Sequence, residues 1–67
     1  MDDAIEQFII FCLESYKTKN RLTGVQAYND FERYGVFSYL KQGFEVLHTQ
    51  GQDYIVADIE DYIKHKQ

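Results

Sequence analysis

His48 is the residue in this chain best suited to proton-transfer chemistry. An imidazole exchanges protons around neutral pH, and Asp53 or Asp58 follows closely enough to supply an orienting carboxylate. A nucleophile is what the pattern lacks. No serine stands near His48, and Cys12 sits within the apolar run 8–13, the position of a buried, inert thiol. The same imidazole has a structural use: at the end of a helix it can donate to the last unpaired carbonyl groups. The spacing favours that role. His48 and His65 are the only histidines and are not at ligand spacing, and Asp58, Glu60 and Asp61 lack the loop glycine of an EF-hand. The glycines are isolated, so there is no phosphate-cradling loop. The expectation is a chain with no catalytic residues, no metal and no cofactor.

Composition narrows the class further. With 67 residues the chain is one domain, 1–67, and a fold of this size has a total stability of roughly 3–10 kcal/mol. It has six tyrosines, five phenylalanines and no tryptophan. Each large aromatic can bury about 150–250 Å², and eleven exceed what one small core needs. Some must reach the surface, as aromatics do at interfaces. The net charge of −4 and the absence of a basic stripe argue against nucleic acid, whose binding depends on neutralising phosphates. The acidic balance suits a basic partner surface. A single cysteine excludes a disulfide within the chain. The longest apolar run is too short to span a bilayer, and the acidic Met1-Asp2-Asp3 opening is unlike a signal peptide. A cytoplasmic location without membrane contact is expected.

Four helices must position these side chains, at about 3–19, 24–34, 36–49 and 54–66. In the first, Ile5, Phe8, Ile9, Cys12, Leu13 and Tyr16 follow helical spacing. Asp2, Asp3 and Glu6 at its start and Lys17 and Lys19 at its end complement the helix dipole. Ile10 and Phe11 fall off the main stripe, so this helix is either central or offers a second face to another chain. After the connector Asn20-Arg21-Leu22, Thr23 with Gln26 forms a capping box. Val25, Tyr28, Phe31 and Ala27 mark the buried edge of the second helix, which Gly35 ends in a left-handed conformation. Phe37, Leu40, Phe44 and Leu47 make the stripe of the third. Gly43 lies inside it at a cost of about 1 kcal/mol relative to alanine, and a close helix crossing would account for it. Gly51 is the next turn and Asp53 a candidate N-cap. Tyr54, Ile55, Ile59, Tyr62 and Ile63 form the apolar edge of the last helix, with Asp58, Glu60 and Asp61 mainly on its other side.

An alternative pairs 44–49 with 54–57 as a C-terminal β-hairpin after three helices, a winged-helix-like arrangement. Period-two alternation is poor there, and the helical spacing runs unbroken from Phe37 to Leu47 and from Ile55 to Ile63. The all-α reading is preferred.

Several separated elements share an order and spacing with a known family. They are Leu22-Thr23-Gly24, Phe31 with Tyr34-Gly35-Val36, Tyr39-Leu40, Glu45-Val46-Leu47-His48-Thr49, Tyr54-Ile55-Val56, Asp58-Ile59 and Tyr62-Ile63. Over nearly its whole length the chain resembles a small bacterial family catalogued as domain of unknown function 3791. None of these elements is a chemical motif; they make a fold signature. The resemblance implies a short soluble protein encoded beside an ADP-ribosyltransferase-like toxin, hence an antitoxin or accessory subunit. It carries over no catalytic residue.

The reading reached from sequence is a non-catalytic protein-binding module that occludes a partner, such as a toxin encoded by a neighbouring gene. The contacts are expected on Phe11, Tyr28, Tyr39 and Tyr54 and on the acids Asp58, Glu60 and Asp61. The alternatives are a self-associating scaffold, for instance a homodimer formed through the first helix, and, further off, a winged-helix nucleic-acid binder.

Overall fold

A computed structural model describes residues 3–67 of the chain. Five helices follow one another: α1 (Asp3–Lys19), α2 (Gly24–Arg33), α3 (Val36–Gln42), α4 (Phe44–Leu47) and α5 (Gln52–Lys66). Among the described residues there is no strand, and residues 44–57 form α4, a turn and the start of α5 rather than a hairpin. Asp2, expected to complement the first helix dipole, lies outside the described residues, as does the side chain of Asp3.

The chain turns where local chemistry dictates. The Thr23 hydroxyl accepts from the Gln26 backbone N–H at 3.1 Å, and the Gln26 side chain accepts from the Thr23 N–H at 2.9 Å, completing the capping box. Gly35 adopts φ 69°, ψ 27°, a left-handed conformation that ends α2 and lets the chain turn into α3. The other positive φ belongs to Arg21 at 55°, in the α1–α2 connector.

The third predicted helix is found as two pieces, broken at Gly43. Gly43 donates to the Tyr39 carbonyl at 3.0 Å and accepts from Leu47 at 2.8 Å, so it closes α3 and opens α4. A methyl group there would lie 2.9 Å from Leu47 Cδ1 and 3.3 Å from the Tyr39 carbonyl oxygen. The atoms that crowd this position belong to its own bend, not to the crossing of a distant helix. The last helix begins two residues earlier than expected, with Gly51 at the N-cap and Asp53 in the first turn, where a carboxylate still complements the dipole.

All five helices contribute to one core. Phe8, Cys12 and Tyr16 of α1 meet Ala27 and Phe31 of α2, Val36 and Leu40 of α3, Leu47 of α4, and Ile55, Ile59 and Ile63 of α5. Helix α1 packs against α2, α3 and α5, and α3 packs against all four of the others. Aromatic contacts thread the first three helices: Tyr16 against Phe31, Phe31 edge-on to Phe37, and Phe37 against Tyr28, with ring centroids 5.3–5.4 Å apart. Phe8 meets Phe44 edge-on at 5.4 Å.

The buried face of α2 is narrower than its apolar content suggests. Ala27 and Phe31 are fully buried, whereas Val25 is 70% exposed and Tyr28 is also exposed, contrary to the expected buried edge. Ala27 and Phe31 are four residues apart and point the same way. Val25 lies about 160° around the helix from Ala27 and faces solvent.

Candidate functional site

The eleven aromatics divide as the composition requires. Phe8, Tyr16 and Phe31 are buried; Tyr34, Phe37, Tyr39, Phe44 and Tyr62 are half-buried; Phe11, Tyr28 and Tyr54 are exposed. The question is which of the outer ones share a surface.

Three of the seven residues expected to make partner contacts converge. Tyr39 of α3 and Tyr54 and Asp58 of α5 line one open cleft of about 410 Å³, together with Gln42, Gly43, Val46 and Leu47. Each arrives by a simple route. The break at Gly43 turns α4 so that Leu47 enters the core while Val46 stays 68% exposed at the rim. Ile55 and Ile59 face inward on α5, so Tyr54 and Asp58, each one residue earlier and one turn apart, lie together on the flank beside α3.

The polar geometry of the cleft is set by one bond. The Tyr39 hydroxyl donates to Asp58 Oδ2 at 2.6 Å. That bond to a carboxylate, assisted by partial burial, pushes the Tyr39 phenol up to about 12. On its other side Tyr39 is held by Tyr62, whose ring stacks at 4.0 Å and 17°, and Lys66 Nζ sits 5.2 Å from the Tyr62 ring centroid. The cleft wall is thus fixed by packing and hydrogen bonding together.

The other four expected contact residues lie elsewhere. Phe11 is exposed on α1 beside Ile10. Tyr28 packs on Phe37 and donates to Glu32 at 3.1 Å, which raises its phenol pKa. Glu60 is engaged within the fold: Lys19 and Asn20 at the end of α1 donate to its two oxygens at 3.2 and 3.0 Å. Asp61 is exposed near His65. The three acids therefore do not act as one strip: Asp58 faces α3, Glu60 faces the end of α1, and Asp61 faces solvent. Gln42, Val46 and Leu47 were missed as cleft residues, because helical spacing does not show that they face Tyr54 and Asp58 of α5.

His48 closes α4. Its Nδ1 lies 2.6 Å from the Phe44 carbonyl oxygen, and its ring stacks on that of Phe44 at 4.4 Å and 12°. This is the helix-ending role read from sequence. Cys12 is fully buried, and burial pushes its thiol up to about 12. Among the described residues, no group of three or more His, Cys, Asp or Glu side chains is placed to hold a metal ion. No described helix is long and apolar enough to cross a membrane.

The elements that carried the resemblance now have places in this frame: Thr23 caps α2, Gly35 turns into α3, His48 ends α4, and Ile55, Ile59 and Ile63 are core. Residues 7–66 match the family described as Protein of unknown function (DUF3791). The chain belongs to the DUF3791 family. The match to DUF3791 spans α1 from its second turn through to the end of α5, so the cleft lies wholly within the family's domain. Neither the curated proteins nor the solved structures contain a match to the chain.

Proposed function

We propose that this DUF3791 chain is a non-catalytic protein-binding module that works in the cytoplasm by covering part of a partner protein. The observation that carries this reading is the convergence of Tyr39, Val46 and Tyr54 with Asp58 in one open cleft. Rigid tyrosines around a partly desolvated polar group are the usual make-up of an interface anchor. The resemblance stated above adds the biological setting: an antitoxin or accessory subunit that neutralises an ADP-ribosyltransferase-like toxin encoded by a neighbouring gene. An acidic surface suits a basic nucleotide-binding cleft on such an enzyme.

The test is co-expression of the chain with the product of the adjacent gene, followed by co-purification and a titration at micromolar concentration. The expected result is a stable complex that Tyr54→Ala weakens. Absence of association at those concentrations overturns the reading.

One observation favours a second reading, self-association. Ile10 is 59% exposed and the adjacent Phe11 43%, an apolar pair on the outside of α1. A homodimer through this face predicts a molecular mass by light scattering that doubles with concentration and returns to the monomer in Phe11→Glu. A strict monomer across the series excludes it. The winged-helix alternative lacks its wing, since residues 44–57 are helix and turn.

A further inference from the structure

Resting on the protein-binding reading, we propose that the cleft between α3, α4 and α5 is an anchor site for an arginine side chain of the partner protein. Of the described residues lining the cleft, Asp58 alone is charged. Two other carboxylates are paired with a lysine within the fold, Glu14 with Lys17 and Glu60 with Lys19, each at 3.2 Å. Among the described residues, Asp58 has no cation within ion-pair distance. Its partner is the neutral Tyr39 hydroxyl, held at one oxygen. A carboxylate has two oxygens and about four acceptor positions, so Asp58 keeps the capacity to take N–H donors from outside.

The walls select among donors. Tyr39 and Tyr54 present aromatic surface and Val46 and Leu47 apolar surface around that carboxylate. A guanidinium group is planar and weakly hydrated, stacks on aromatic rings and donates to a carboxylate from its edge. It can use both features at once. An ammonium group is compact and strongly hydrated, so it answers the charge but makes little use of the walls. An apolar side chain such as leucine answers the walls but displaces water from Asp58 without replacing its hydrogen bonds, which is unfavourable. The net charge of −4 adds a long-range attraction for a basic partner surface and speeds encounter.

The experiment titrates three blocked tripeptides, acetyl-Ala-Arg-Ala-amide and its lysine and leucine counterparts, into the isotopically labelled 67-residue chain. Binding is followed by two-dimensional amide NMR. The expected result is saturable shifts at Val46, Tyr54 and Asp58 with the arginine peptide, at an affinity about tenfold above the leucine peptide. Asp58→Asn and Tyr54→Ala should each lower that affinity by about tenfold while the rest of the spectrum stays folded. Tyr54 is 58% exposed, so its truncation keeps the test informative even if Asp58→Asn perturbs the fold. The proposal is overturned if the leucine peptide binds as tightly as the arginine peptide, or if neither variant weakens the arginine peptide. The same variants separate this proposal from the module reading. A neighbouring-gene partner that binds with an affinity indifferent to both Asp58→Asn and added salt overturns the arginine anchor and leaves the module reading standing. Saturable arginine binding with no association of that partner does the reverse.

Discussion

The Tyr39 hydroxyl donates to the Asp58 carboxylate across 2.6 Å, tying α3 to α5 at the edge of the candidate site. A phenol bonded to a carboxylate holds its proton more tightly, and the Tyr39 pKa is raised from its usual 10 to about 12. The folded state therefore binds this proton more strongly than the unfolded chain does. The stabilisation is fully present below pH 10 and is lost as pH rises towards 12. Tyr39→Phe should cost about 1 kcal/mol near neutral pH, because the half-buried Asp58 regains water. In urea titrations the gap between the native chain and Tyr39→Phe should be constant below pH 10 and narrow between pH 10 and 12. A gap that does not change with pH would show that the bond is not formed in solution.

Phe31 is the most demanding core position. It is fully buried and touches Tyr16 of α1 and Phe37 of α3. Phe31→Ala should cost about 3–5 kcal/mol, comparable to the roughly 3–10 kcal/mol available to a chain of this size. Circular dichroism melts should show weak or no cooperative unfolding for Phe31→Ala. Val25→Ala, at a 70% exposed position on the same helix, should stay within about 0.5 kcal/mol of the native chain.

Three substitutions at two positions probe the turns around α2. Thr23→Ala removes the hydroxyl that accepts from Gln26 and should cost about 1 kcal/mol. Gly35→Ala meets open space, so its cost comes from the left-handed backbone alone, about 1–2 kcal/mol. Gly35→Asn should cost clearly less, since asparagine tolerates that conformation. Chemical denaturation of the three variants gives the ranking, and equal losses for alanine and asparagine at position 35 would rule out the conformational explanation.

Cys12 should be chemically silent in the folded protein. Its side chain has no exposed surface, and burial raises the thiol pKa to about 12, so thiolate is scarce at neutral pH. A thiol reagent should label it slowly in buffer and rapidly in denaturant. Because labelling then reports opening of the fold, Phe31→Leu should accelerate it. Fast labelling of the native chain would contradict the packing of α1.

How much of this was legible beforehand depends on how far apart in sequence the interacting residues lie. The capping box at Thr23 and Gln26, the left-handed Gly35 and the helix-ending His48 are decided within four residues, and each is found as read. The inward stripe of Ile55, Ile59 and Ile63 follows from helical periodicity alone. The break at Gly43 was hidden by the same periodicity, because Phe37, Leu40, Phe44 and Leu47 keep helical spacing across it. Val25 and Tyr28 were misread as buried because a short helix with apolar residues on several sides does not say which side its neighbours will cover.

The sequence by itself determined that this protein is helical, where its main turns fall, and that it has more aromatic surface than its core can hold. Those properties depend on backbone propensity, capping and composition, which act within a turn or are simply counted. Only the tertiary structure decided which aromatics share a face. Tyr39 and Asp58 are nineteen residues apart; they meet because Gly43 bends the chain and the isoleucines of α5 set its rotation against α3. The same packing turned Glu60 inward to Lys19 and Asn20 and, among the described residues, left Asp58 without a cation at ion-pair distance. Such pairings depend on the rotation and crossing of whole helices, which no local pattern encodes.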